Sequence, residues 1–274
     1  MAQNSIDTRH KEYESCYDFK ITKRLPIIIR VDGKGFSKLT RKIDKPYCAT
    51  MLGLMAATMY DTIVQMDGAV FGYQQSDEIT FVLKNNQSLN TDPWYGNRIQ
   101  KLASITSSLV TLNFNKCLGK LEDPPNLIGN ALFDARVFSV PDDSEVVNNL
   151  IFRQQDCIRN AIQCTSKTVL SDKLGNKQAG KILFQKNSEQ QLKIINEELG
   201  DSFENKFPIS FRRGICIYKS PKIINNEDGT VTKRNKWSLD FNTPDFISAR
   251  NWLAPIIQTG YDVYRSDRDS LEGE

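Results

Sequence analysis

The chain opens on a polar segment, and its first strongly apolar stretch is LPIIIRVDGKGF. β-Branched residues follow Pro26 and the run stops at a glycine-rich turn, which predicts a short buried strand with Asp32 at its end. From Tyr47 to Gln65 the positions Met51, Leu54, Met55, Thr58, Met59 and Ile63 recur at helical spacing. AVFGYQQSDEITFVL then predicts two strands, Ala69 to Tyr73 and Glu78 to Leu83, which meet near Gln74 to Asp77. Asp77 falls at the hairpin end. After the polar loop NNQSLNTDPW, Tyr95 to Phe114 predicts a helix, and ALFDARVFSVP a strand stopped by Pro141. The order is βαββαβ, an α+β arrangement that packs helices on one face of an antiparallel sheet.

Beyond Pro141 and the acidic PDDSE, taken as the boundary between segments 1–141 and 142–274, a helix is expected from Ser144 to Thr165. The lysine-rich, glycine-containing SDKLGNKQAGK follows, then a helix over Ile182 to Leu199. FRRGICIYK reads as a strand, and NNEDGT as a turn into the basic segment VTKRNKW. The tail RSDRDSLEGE is polar and expected to fray. These elements make a C-terminal α/β extension.

The chain's 274 residues, 39% hydrophobic and 25% charged, have the composition of an ordinary globular protein with room for a sizeable core. The apolar run Leu25 to Ile29 is closed by Arg30, far short of the roughly 18–20 apolar residues of a membrane span. The N-terminus has no apolar core behind basic residues, so a cytoplasmic protein is expected. Six cysteines without a C-x-x-C pair argue against a zinc knuckle or a disulfide framework. With His10 the single histidine, a Ser-His-Asp triad or an H-E-x-x-H zinc site would have to rest on that residue. Carboxylates, lysines and arginines are left to carry chemistry. The net charge of +3 is too small for a protein that coats nucleic acid, so any RNA-binding surface must be local.

Asp32 and Asp77, each at the end of a strand, suit a hard cation: Mg2+ takes one or two carboxylates together with water and phosphate oxygens. Two ions about 3.5–4 Å apart would clamp the oxygens of a phosphoryl displacement. The glycines of Asp32-Gly33-Lys34-Gly35 allow close approach of backbone N–H groups to a triphosphate. Taken singly, an Asp-Gly after a strand or a Ser-Asp-Glu in a hairpin describes a solvated turn equally well. The pairing of the two points to metal.

RVDGKGF, followed by YQQSDEITFVL, FDARVF and RQQDCIRN, resembles the tRNA-histidine guanylyltransferase superfamily over nearly the whole chain. The resemblance implies a polymerase- or cyclase-like palm with a ferredoxin-like βαββαβ sheet. It implies a nucleotidyltransferase in which a nucleotide's 3′-hydroxyl attacks an activated 5′ end of RNA. Asp32 and Asp77 would hold two Mg2+ ions with the Gly33 carbonyl, and Glu78 would act as a supporting acid. Asp32, Gly33, Lys34, Gly35, Phe36, Ser37, Ser76, Asp77 and Asn160 would line the nucleotide, and Arg98 and Lys101, one helical turn apart, would hold triphosphate. GTP or another nucleotide is the implied substrate, ATP the implied 5′ activator, tRNA the partner and a homotetramer the assembly.

Members specialised for tRNA-histidine carry H-I-N-N after the cysteine of RQ-x-D-C, where this chain has Ile158, Arg159, Asn160 and Ala161. The pattern is similar instead to the guanylyltransferase-like branch, which repairs 5′-truncated tRNA by template-directed 3′-to-5′ addition. A single 5′ guanylate on tRNA-histidine is the alternative within the family. A palm-type nucleotide cyclase and a non-catalytic nucleotide- or RNA-binding module are the alternatives outside it. Arg153, Asp156 and Asn160 share a helix face, as a structural salt bridge or a substrate contact. Lys233, Arg234 and Lys236 with Trp237 mix charge and aromatic surface as RNA-binding segments do, and Lys177 and Lys181 are further candidates for phosphate.

Overall fold

A computed structural model describes residues 5–225 and 231–262. In chain order the elements are α1 (Ile6–Ser15), β1 (Ile27–Gly33), the short α2 (Phe36–Leu39), α3 (Ala49–Ile63), the hairpin β2 (Ala69–Gln75) and β3 (Glu78–Leu83), α4 (Ile99–Leu118) and β4 (Phe133–Ser139). The second half runs α5 (Asp143–Leu174), α6 (Asn176–Leu183), α7 (Ser188–Leu199), α8 (Phe203–Lys206), α9 (Ile209–Arg213), β5 (Ile215–Asn225), β6 (Val231–Asp240) and α10 (Arg250–Thr259). Six strands form one antiparallel sheet in the order β4-β1-β3-β2-β5-β6.

The near-continuous apolar runs of β1, β2 and β3 are explained by burial on both faces. Ile27, Ile29, Val31, Ile79, Phe81, Ile215 and Ile217 join the core under α3 and α4. Val70, Phe71, Val82, Cys216 and Tyr218 alternate with them and join a second core with Val147 and Leu150 of α5 and Leu253, Ile256 and Ile257 of α10. The helices on one face expected from the βαββαβ pattern are α3 and α4; the C-terminal extension supplies the cover for the other. A third apolar cluster holds α5 to the helices after it through Ala161, Ile162, Ile195 and Phe203.

Several boundaries differ from the sequence expectation for local reasons. α4 starts at Ile99 because Tyr95, Gly96 and Asn97 have positive φ, which breaks a helix begun at Tyr95. α5 opens on Asp142, whose side chain accepts from the Glu145 amide, and runs past Thr165 to Leu174. The lysine-rich stretch is therefore mostly helical, interrupted at Gly175. The span Ile182 to Leu199 is broken ahead of α7, whose start is fixed by a capping box between Asn187 and Gln190. Phe211 to Arg213 are helical, and Gly214, at φ 77°, turns the chain into β5 where a Cβ would strike the Gln74 carbonyl. Most of the NNEDGT turn and the polar tail lie outside the described residues. No helix among the described residues is long and apolar enough to cross a membrane.

Lys84, just past β3, ties the two halves together. Its buried ammonium donates to Asp143 at 2.8 Å and to the carbonyls of Ile257 and Gln258 at 3.3 Å. Lys84→Met removes the charge and strands three acceptors, and the half-exposed Asp143 recovers some hydration. The expected loss is about 2–3 kcal/mol. Urea denaturation monitored by circular dichroism reads it, and a loss below about 0.5 kcal/mol contradicts the assignment.

Candidate active site

β1 delivers Asp32 to the end of the sheet, where its Cα partners are Glu78 on β3 and Asp134 on β4. Directly opposed residues of antiparallel strands project from one face, so Asp134, Asp32 and Glu78 form an acidic row across three strands. Val31 and Ile79 point into the α3/α4 core, which turns that row, and Arg30 two residues earlier, toward α5. β2 and β3 are joined by Ser76 and Asp77. Ser76 takes a positive φ of 48°, which suits the twist of a two-residue hairpin loop. Gln74 Nε2 donates to the Ser76 carbonyl at 2.9 Å, and Ser76 Oγ donates to Asp77 Oδ1 at 3.0 Å.

The electrostatics of this turn are those of an anion short of a counter-ion. Burial pushes the Asp77 carboxyl above its ordinary range, and the nearby charges of Asp32 and Glu78 add to the rise against hydrogen bonds from its own backbone N–H and from Ser76. Glu78 is already engaged: Arg153 of α5 donates Nε to Oε1 at 2.7 Å and Nη2 to Oε2 at 2.9 Å. The same guanidinium reaches Asp156 at 2.8 Å, and Asp156 accepts from Arg159 at 2.8 Å and Asn160 at 3.4 Å. The Arg153–Asp156 contact expected on the helix face is thus an ion pair, extended by Glu78.

Among the described residues, no three His, Cys, Asp or Glu side chains close around a common point. The free donors are the Asp32 and Asp77 carboxylates and nearby backbone oxygens, a hard-oxygen set that leaves coordination positions open for phosphate and water. That set fits magnesium.

A cavity opens on either side of the Ser76–Asp77 turn. The larger, about 400 Å3, runs from Phe36 and Ser37 past the 43–48 segment, Met51 and Leu52 to Cys157, Asn160, Ala161 and Cys164 on α5. The smaller, about 300 Å3, is lined by Arg30, Asp32, Glu78, Arg153 and Asp156. Gln75, Ser76, Asp77 and Asn160 belong to both. Gly33 leaves the Phe36 ring room that a Cβ would occupy, and Phe36 packs between Phe114 and Phe133 with ring centroids 5.8 and 5.0 Å away. Gly35, with φ 69°, caps α2. The Lys34 amide donates to the Leu132 carbonyl at 2.8 Å, so it does not join a phosphate cradle with its neighbours.

Residues 7–141 match the family model described as Thg1, tRNAHis guanylyltransferase. The tRNA(His) guanylyltransferase of Schizosaccharomyces pombe is 32% identical over 217 residues, covering 77% of this chain and 80% of that protein. The chain belongs to the tRNA(His) guanylyltransferase family. Among solved structures, a bacterial tRNA(His) guanylyltransferase-like protein in complex with ATP superposes with a TM-score of 0.77 at 30% identity, covering 93% of this chain and all of that one. The similar protein in complex with GTP gives 0.70 at 28% identity over 92% and 98% of the two chains. The chain is accordingly a nucleotidyltransferase with the palm-type α+β fold of that family.

The structure does not gather every residue the family resemblance named. Arg98 and Lys101 are absent from both cavities. Arg98 caps α4 and pairs with Asp18 at 3.0 Å, and Lys101 lies over the Tyr95 ring at 5.9 Å. The adjoining Asn97 bonds to Asn85 and Ile21, beyond the strand ends opposite Asp32, about 20 Å away at the rise of a six-residue strand. Within one chain, α4 enters the fold at the wrong end of the sheet for these residues to join Asp32.

Arg234 and Lys236 lie on the outer strand β6, opposite Lys222 and Ser220, and Lys219 stacks over Trp237 at 4.9 Å. The side chain of Lys233 lies outside the described residues. Lys177 and Lys181 are exposed on α6. Arg30, Gln75 and Asp134 were missed by sequence reading, although the period-2 spacing of Arg30 from Asp32 is a signal a strand assignment supplies.

The raised Asp77 carboxyl has a signed consequence. The folded chain holds that proton more firmly than the unfolded chain, a contribution that favours folding at low pH and is lost as pH rises through the folded value. Asp77→Asn is expected to raise Tm at neutral pH in chelator, with the gain shrinking as pH falls. Thermal melts between about pH 4 and pH 8 check this, and an unchanged or lower Tm at neutral pH contradicts it.

Proposed function

We propose that this enzyme adds a nucleotide to the 5′ end of a tRNA, guanylate being the nucleotide named for its curated relatives. The observation that carries the proposal is the placement of Asp77 between two cavities, with Asp32 beside it in the smaller one. The larger cavity, with its aromatic and apolar walls and the Ser37 and Asn160 side chains, suits a nucleoside; the smaller, where Asp32 and Asp77 would hold a cation, suits the phosphates that the cation carries. ATP or GTP bound to bacterial relatives supports nucleoside triphosphates as substrates.

Asp32 and Asp77, with the Gly33 carbonyl, would hold Mg2+, which when bound neutralises charge on the phosphates and polarises them. The two carboxylates would fix the position of such an ion. The hairpin turn keeps Asp77 fixed, and the half-buried site limits water around the reacting phosphate. The reaction joins the nucleotide's 3′-oxygen to the activated 5′ phosphorus of the RNA and releases the activating group from it.

A second reading, template-directed extension of 5′-truncated tRNA, is favoured by Ile158 and Ala161. Ile158 packs into the apolar cluster around Ile162, Ile195 and Phe203, away from both cavities, and Ala161 presents only a methyl to the larger one. Neither position offers a base-specific hydrogen bond, so pairing with the opposite strand would select the nucleotide.

Labelled nucleotides offered with intact tRNA-histidine and with tRNAs lacking their first nucleotide separate the two. Guanylate on the intact tRNA supports the first. Complementary-base addition confined to truncated tRNAs supports the second, and no product from either RNA with 5′-triphosphate ends overturns both. Asp32→Ala and Asp77→Ala are each expected to cut the rate about a thousandfold or more, whereas Arg98→Ala, at the far end of the sheet, should retain nucleotide binding by one chain.

A further inference from the structure

Glu78 stands beside Asp32 in the acidic row and next to Asp77 in the chain, and its surroundings set it apart from both. Its side chain is about one-eighth exposed, and both oxygens are occupied by the guanidinium of Arg153, whose side chain is 8% exposed. Gln75 Nε2 approaches Oε1 at 3.4 Å, and Arg30 Nε stands 3.9 Å from Oε2. A carboxylate held side-on by arginine in a buried setting has little lone-pair capacity left for a metal. Arg153 is anchored in turn by Asp156, and its guanidinium lies over the Phe152 ring at 4.9 Å.

The clamp spans elements far apart in sequence. Glu78 is the first residue of β3 and follows Asp77 directly, while Arg153 stands in the middle of α5, one turn before Asp156 and two before Asn160. The chain of contacts Glu78, Arg153, Asp156, Asn160 therefore ties the hairpin turn that carries Asp77 to the α5 wall shared by both cavities. An arginine fork fixes orientation as well as charge, which a lysine in its place cannot reproduce.

We propose that Glu78 and Arg153 are a positioning pair rather than a cation ligand and a substrate contact: the clamp sets the orientation of Asp77 against the α5 wall. This rests on the reading that Asp32 and Asp77 hold a divalent cation, and it goes beyond that reading by giving Glu78 and Arg153 the task of positioning Asp77. Glu78 without Arg153 loses both donors of the fork in a buried setting, whereas Arg153 without Glu78 keeps its ion pair with Asp156 at 2.8 Å.

Mn2+ binding read by electron paramagnetic resonance in the presence of GTP, together with single-turnover rates and circular dichroism, tests the pair. Asp77→Asn should weaken Mn2+ binding about a hundredfold or more, and Glu78→Gln by about tenfold, as a residue that supports a ligand does. Arg153→Met and Arg153→Lys should both lose about tenfold or more in turnover with GTP affinity and native circular dichroism retained, and Arg153→Met/Glu78→Met, which lacks the clamp altogether, should lose as much. Loss of Mn2+ by Glu78→Gln equal to that of Asp77→Asn makes Glu78 a ligand and overturns the proposal. Full turnover by Arg153→Met, or restoration by Arg153→Lys, overturns it as well. No Mn2+ on the unsubstituted protein sinks the metal reading itself, a result distinct from failure of the clamp.

Discussion

Carboxylates crowded at one half-buried end of a sheet repel one another, and the rest of this molecule is arranged around that repulsion. Asp32 and Glu78 are direct neighbours across β1 and β3, Asp77 is the next residue, and partial burial denies the turn the hydration that would screen them. Such a group of anions persists when cations offset it. Arg153 takes Glu78 and Asp156. The field left at Asp32 and Asp77 is available to a divalent ion and the phosphates it carries.

Core packing fixes where those carboxylates stand. Ile27, Ile29 and Val31 of β1 are buried under α3 and α4, so the period of two sends Arg30 and Asp32 to the α5 side. A register slip of one residue would exchange the two sets and is opposed by the cost of burying Arg30 and Asp32 under α3 and α4. α5 has a double part. Its Val146, Val147 and Leu150 close the second core, and the following turns carry Arg153, Asp156 and Asn160 to the site. The C-terminal half thus completes both the hydrophobic cover and the catalytic wall of the βαββαβ half.

What the sequence made legible follows the same physics. The apolar run before Asp32 and the acid turn in YQQSDEITF announce strands and a hairpin because their burial dictates composition locally. The family motifs locate Asp32 and Asp77 for the same reason, since each lies at an element end fixed by its neighbours. Contacts across the sheet were not legible: the pairing of Glu78 with Arg153 joins residues 75 positions apart and depends on how α5 lies over the strands. Arg98 and Lys101 were grouped with the nucleotide site by resemblance, but the three positive-φ residues at 95–97 and the direction of α4 put them at the opposite strand ends.

Anomalous diffraction from crystals grown with Mn2+ and GTP addresses the central claim most directly. Manganese peaks lying between the Asp32 and Asp77 carboxylates, with the triphosphate oxygens completing their coordination and Glu78 still on Arg153, are the predicted result. Peaks confined to other acidic surfaces, or a triphosphate bound away from both aspartates, would contradict the account.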